Sequence, residues 1–199
     1  MRLPSGIETT DYSRTAAQKG WGNGWPSCSG MSGQLVQVVG PRSAALVQGG
    51  VHRRIQLLCQ VLIRETERRG YMLVKGWCWG ASCRAIAGTS RPSNHSWGLA
   101  MDINAPTNPY TSSGQHDLPD WFFAMFRRYG FGVGADYSGR KDWMHVEWQG
   151  TPGDADIMTQ LAAKEFGGTV TPPTGDWTDT MSKAEWTNIV REAFPVRST

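Results

Sequence analysis

The chain has 199 residues and a mass of 22.0 kDa, with 39% hydrophobic and 19% charged residues. That length makes one generous domain or one domain and a remainder, and the composition excludes wholesale disorder. Charge is uneven: residues 1–150 hold 16 Lys+Arg against 10 Asp+Glu, a net of +6, while residues 151–199 carry a net of −3. A basic body suits an anionic partner such as nucleic acid, phospholipid head groups or a bacterial wall polymer.

The first fourteen residues, MRLPSGIETTDYSR, lack the apolar core of a secretory leader, which predicts synthesis in the cytoplasm. Residues 1–42 are rich in Gly, Ser and Trp without periodicity and read as an irregular wrap. Val51, Ile55, Leu58 and Leu62 then fall on one helical face, and Gly70 stops a helix over Val51–Arg69. Its five arginines (Arg53, Arg54, Arg64, Arg68, Arg69) read as a solvated face rather than a contact patch. Within it, Leu57–Ile63 is the best candidate for a membrane span, but it is short and broken by Gln60.

YMLVKGW (71–77) predicts a strand, Gly80–Asn94 a turn-rich stretch, and WGLAMDIN (97–104) a second strand ended by Pro106 and Pro109. Pro119–Tyr129 predicts a helix with Pro at its start and Gly130 after its end. FGVGADYSGRKD reads as a glycine-rich loop, WMHVEW (143–148) as a strand, and Asp154–Phe166 as a helix closed by Gly167 and Gly168. Residues 167–177 resemble a linker. Beyond them, Ser182 and Glu185 form a capping box before a short C-terminal helix within 178–199, or the stub of a further region.

The four cysteines (Cys28, Cys59, Cys78, Cys83) are too few and too unevenly spaced for a disulfide scaffold. Cys78 and Cys83 are either paired or, as expected in a cytosol, both reduced. As a soft metal site their spacing is loose and no second pair follows.

Two segments carry candidate chemistry. In Ser93-Asn94-His95-Ser96-Trp97-Gly98-Leu99-Ala100-Met101-Asp102, a histidine precedes an aspartate by seven positions. In Asp142-Trp143-Met144-His145-Val146-Glu147-Trp148, a carboxylate precedes a histidine by three. Two His and one Asp suit Zn²⁺, whose catalytic sites keep a fourth position open for water. Strand alternation points His145 and Glu147 to one face and Met144, Val146 and Trp148 to the other, with Asp142 at the strand's mouth. Only four histidines occur in the chain, so two in metal-ligand context weigh heavily. Of the others, His116 reads as a surface-loop residue and His52 as a helix-start residue.

These segments resemble the zinc peptidases that include D-alanyl-D-alanine carboxypeptidases, D-Ala-D-Ala dipeptidases and phage L-alanyl-D-glutamate endolysins. The likeness rests on Ser-x-His-x6-Asp at 93–102, Asp-x-x-His at 142–145 and the Cys83-Arg84 pair, within a core of about 50–150. It implies an α+β fold, a small antiparallel sheet that carries a zinc site and is flanked by helices, as in the hedgehog/D-Ala-D-Ala peptidase group. The catalytic domain would occupy 1–166.

The resemblance further implies one Zn²⁺ held by His95, Asp102 and His145, a metal-bound water as nucleophile, Asp142 as general base and Arg84 on the substrate carbonyl or developing oxyanion. Glu147 competes as base or as a partner of a ligand, Arg91 competes with Arg84, and Ser93 either bonds near the metal or closes a turn. Trp77, Trp79, Trp97, Trp143 and Trp148 read as core and as cleft wall. The expected activity is hydrolysis of stem peptides of bacterial peptidoglycan by a monomeric phage endolysin, cutting either L-Ala-D-Glu or a terminal D-Ala. It would be made in the host cytoplasm and act on the wall after release, without membrane insertion. The alternative is a non-catalytic zinc-containing module that binds cell wall or a protein partner. Nucleic-acid binding has no base-reading motif behind it.

Overall fold

The computed structural model describes residues 1–167, so the expected linker beyond Gly167 and the C-terminal helix lie outside the described residues. Its elements are β1 (Leu35–Val36), β2 (Val51–His52), α1 (Arg53–Arg68), β3 (Ala100–Asp102), β4 (Tyr110–Thr111), α2 (Asp120–Arg128), β5 (Phe131–Val133), β6 (Lys141–Asp142), β7 (His145–Trp148) and α3 (Pro152–Phe166). The architecture is α+β, as the sequence predicts, with no helix long and apolar enough to cross a membrane among the described residues.

Helix α1 starts where the His52 ring accepts a hydrogen bond from the Arg54 amide at 3.2 Å. It buries Ile55, Leu58, Leu62 and Ile63 completely, and α3 packs along it. The α3 N-terminus is a capping box: Thr151 and Asp154 exchange side chain-to-backbone bonds, with Pro152 in the first turn. Asp154 also accepts bonds from the Ser5 amide and hydroxyl, which ties the N-terminus to this helix. Four of the five arginines on and just after α1 are taken up internally: Arg54 pairs with Asp156, Arg68 and Arg69 with Glu65, and Arg64 donates to the Phe166 and Gly167 carbonyls. In α2, Phe122 and Phe126 are fully buried, and Phe126 packs edge-on to Phe131 of β5.

The central sheet is antiparallel with order β3-β7-β5. Its register sets Ala100 opposite Glu147, Met101 opposite Val146 and Asp102 opposite His145. Met101, Val146 and Trp148 enter the core on one face, while Asp102, His145 and Glu147 share the other.

Three expectations are corrected. Residues 71–77 form no strand. The Asn104 side chain bonds their backbone instead, accepting from the Val74 amide at 2.8 Å and donating to the Met72 carbonyl at 2.9 Å. Strand-like pairing is displaced to Trp79, which exchanges backbone bonds with Asp102. The 131–142 stretch is not all loop: β5 and β6 lie within it, and Gly134 permits close approach, since a Cβ there would stand 2.2 Å from the Asp142 carbonyl oxygen. Finally, Cys83 pairs with Cys28, not Cys78, at a Cα–Cα distance of 6.0 Å. Cys59 and Cys78 are buried free thiols, the latter beside the Asn104 side chain. The bond fastens the N-terminal wrap to the segment that carries Arg84.

Candidate metal centre

His95 sits in a single 3-10 turn, Asn94–Trp97, whose first amide hydrogen bond goes to the Ser93 hydroxyl. Ser93 therefore closes the turn. Gly98 ends it at φ +68, where a Cβ would come within 2.8 Å of the His52 nitrogen, so the position needs glycine on both counts. The turn delivers the His95 ring over β3 and β7, where Asp102 and His145 already lie side by side.

Three ligand atoms converge there. His145 Nδ1 lies 2.9 Å from Asp102 Oδ1, His95 Nε2 lies 3.3 Å from the same oxygen, and the two ring nitrogens are 3.3 Å apart. Tetrahedral zinc with bonds of about 2.0 Å requires ligand separations of roughly 3.3 Å, so the triangle fits that ion. The outer nitrogens are also committed. His95 Nδ1 lies 2.5 Å from the Gly80 carbonyl oxygen, and His145 Nε2 faces Glu147 Oε2 at 3.6 Å. An acceptor behind each imidazole fixes the tautomer that leaves the inner nitrogen free to bind a cation. Glu147 is itself fixed by Asn94 Nδ2 at 2.6 Å and by the Tyr137 hydroxyl at 2.7 Å.

The electrostatics match that arrangement. Burial opposes charge on Asp102, but hydrogen bonds from His145 and His95 outweigh it and hold the carboxyl well below the usual range. For His145, burial is overcome by hydrogen bonds to Asp102 and Glu147, which raise its pKa and mark a strongly cation-favouring spot. Asp142 differs. Burial, helped by the negative charge of Asp102, pushes its carboxyl up, while His145, His95 and Arg84 pull it down. One Asp142 oxygen is buried with no hydrogen-bond partner among the described residues, so no structural contact consumes it.

Asp142, His145 and Glu147 open onto a cavity of about 860 Å³. Ser93 and Trp97 line it, and so do both competing arginines, Arg84 and Arg91. Trp143 does not line it: its ring stacks on His116 with centroids 3.8 Å apart, which also draws His116 out of its expected surface role. Trp148 is wholly buried in the core. The opposite wall comes from the N-terminal wrap, through Thr10, Tyr12, Arg14 and Thr15, none of which the sequence singled out. Asn94 and Tyr137 were also missed as supports of Glu147. Asn94 stood inside the first motif, whereas nothing in the sequence marked Tyr137 or the wrap.

Residues 87–148 match a family model described as D-alanyl-D-alanine carboxypeptidase. The resemblance to that peptidase family stands. The matched stretch holds the metal triad, Asp142 and Glu147, and leaves outside it Arg84 and the N-terminal wall. No curated protein and no solved structure matches the chain. The carboxypeptidase-like segment thus carries a His-Asp-His group able to hold a metal ion.

Proposed function

We propose that the protein is a zinc peptidase that hydrolyses peptide bonds in the stem peptides of bacterial peptidoglycan, as a monomeric endolysin of the phage type. The observation that carries this reading is the triangle of His95 Nε2, Asp102 Oδ1 and His145 Nδ1 at tetrahedral spacing, beside a cavity into which Asp142 also opens. When bound, Zn²⁺ supplies a Lewis acid that polarises the scissile carbonyl and makes water acidic enough to attack near neutral pH. His95, Asp102 and His145 hold it, and Glu147 orients the His145 ring.

Asp142 takes the proton of the attacking water and passes it to the departing amine, a role that its raised pKa and unbonded oxygen support. Arg84 bonds the carbonyl oxygen as negative charge develops, a role supported by its exposure at the cavity. The basic body favours an anionic wall polymer. The Cys28–Cys83 bond suits work outside a reducing cytosol, after synthesis in the host cytoplasm and release.

Mass spectrometry of digested peptidoglycan tests this reading. A new N-terminal D-Glu or D-isoglutamine establishes the L-Ala-D-Glu cut, and released D-Ala establishes carboxypeptidase action. Stoichiometric zinc with no new amine would leave a wall-binding module instead.

A further inference from the structure

Outside the cavity, five arginines are neutralised by carboxylates: Arg54 by Asp156, Arg68 and Arg69 by Glu65, Arg127 by Asp136 and Arg128 by Glu165. At the cavity the pattern reverses. Arg14, Arg84, Arg91 and Arg140 all line it, all are exposed, and among the described residues none has a carboxylate within ion-pair distance. They arrive from three separate parts of the chain: the N-terminal wrap, the segment before β3, and the loop between β5 and β6.

The acids lining the same space do not cancel them. Asp136 is occupied by Arg127, and Glu147 lies beneath, bonded by Asn94 and Tyr137 and facing His145. Only Asp142 remains against four cations. Unpaired like charges that converge on a concave surface repel one another, and an incoming anion relieves that repulsion.

Two of the four are also held in place without using up their donors. Arg91 Nη2 donates to the Tyr12 carbonyl at 3.0 Å. Arg140 Nη2 donates to the Tyr110 carbonyl at 2.8 Å, and its guanidinium lies 4.1 Å above the Tyr110 ring. A guanidinium has five N–H groups, so each anchored arginine keeps several for a ligand. Anchoring lowers the entropy lost when a carboxylate is gripped, and the planar fork matches that group bidentately.

We propose that Arg14, Arg91 and Arg140, with Arg84 left to the scissile carbonyl, form a carboxylate-reading rim that makes the enzyme select peptides with free carboxylates flanking the scissile bond over the same peptides with those groups amidated. The inference rests on the peptidase reading and assigns the substrate class within it. Because Arg14 and Arg140 lie outside the groups that perform the bond cleavage, the rim acts on binding, so selection appears in KM rather than in kcat.

The test uses one pair of synthetic stem peptides, identical except that the free carboxyls of one are carboxamides in the other. The zinc-loaded enzyme is expected to favour the free-carboxylate peptide about tenfold in kcat/KM, mainly through KM. That ratio should shrink as salt rises from about 50 to 500 mM, because the rim is solvated. Arg14→Gln with Arg140→Gln should bring the ratio below about twofold, while Arg14→Lys with Arg140→Lys, which keeps the charge, should retain most of it. An unchanged ratio in the folded Gln double variant, or equal use of both peptides by the native enzyme, overturns the rim and leaves the peptidase intact. If neither peptide is cut, the peptidase reading fails. Calorimetry with the zinc-loaded Asp142→Asn variant then decides the rim alone: tighter binding of the free-carboxylate peptide supports it, and equal affinities overturn it.

Discussion

Asp102 and Asp142 are two carboxylates of one site with opposite pKa shifts, and their surroundings explain the division of labour. Asp102 accepts from two imidazoles and is held in its ionised form, as the proposed ligand role requires, whereas buried Asp142 has an unbonded oxygen and a raised pKa. Asp142→Asn should therefore keep stoichiometric zinc, read by elemental analysis, and lose about 10²–10⁴-fold in kcat on a stem peptide. Normal turnover in that variant would remove Asp142 from the role of base. On the proposed reading Glu147 acts through His145, which it faces at 3.6 Å, rather than on substrate. Glu147→Gln should weaken zinc affinity about 10–100-fold in a competition with a chelating dye, with a smaller loss of kcat at saturating zinc.

Each element brings one part of the site, and each is held by a local device. The β3–β7 register sets Asp102 against His145, the turn after Ser93 adds His95, and Gly98 lets that turn lie against β2. The helix α1 behind them starts on a neutral imidazole: His52 Nδ1 accepts the Arg54 amide, and the ring packs edge-on to Trp21. Burial, with Arg54 and Arg53 nearby, pushes the His52 pKa down to about 4 from an ordinary value near 6.5. The unfolded chain takes up this proton more readily than the folded one, so the stabilisation is complete above about pH 6.5 and fades as pH falls toward 4. Denaturant midpoints at pH 7 and pH 5 should thus differ less in His52→Asn, which retains a capping oxygen without the titration, than in the native protein.

At the scale of the whole molecule, the cavity is a joint product of distant segments. The wrap is fastened to the body by the Cys28–Cys83 bond, by Trp97 Nε1 donating to the Gly22 carbonyl at 2.9 Å, and by the buried Lys19 ammonium donating to Gln149 Oε1 at 2.9 Å. A metal held by the triad would add a further tie, since His95 comes from the Asn94–Trp97 turn and Asp102 and His145 come from two strands. Removing it with a chelator should lower the melting temperature by about 10 °C, taking about 4 kcal/mol of linkage at a thousandfold excess over Kd and 2–4 °C per kcal/mol. Calorimetric scans with and without chelator measure this, and no shift would mean that the triad does not bind metal in the folded protein.

Periodicity in the sequence predicts α1, α2 and α3 and strands around Asp102 and His145, and the peptidase resemblance implies the His95–Asp102–His145 set. The elements follow from periods within a few residues, whereas the ligand set joins two motifs whose Asp102 and His145 lie 43 positions apart and rests on the resemblance. Tertiary structure decided what depends on distance along the chain: the pairing of Cys28 with Cys83, the fate of 71–77, the support of Glu147 by Tyr137, and the wall carrying Tyr12 and Arg14. An isolated arginine has no periodicity to betray its neighbours, and a half-cystine does not name its partner. Four exposed arginines spread over residues 14 to 140 become one cationic rim only when the chain closes around the cavity. Convergence of that kind is a property of the packed molecule, because it is burial and chain crossing that bring such groups together.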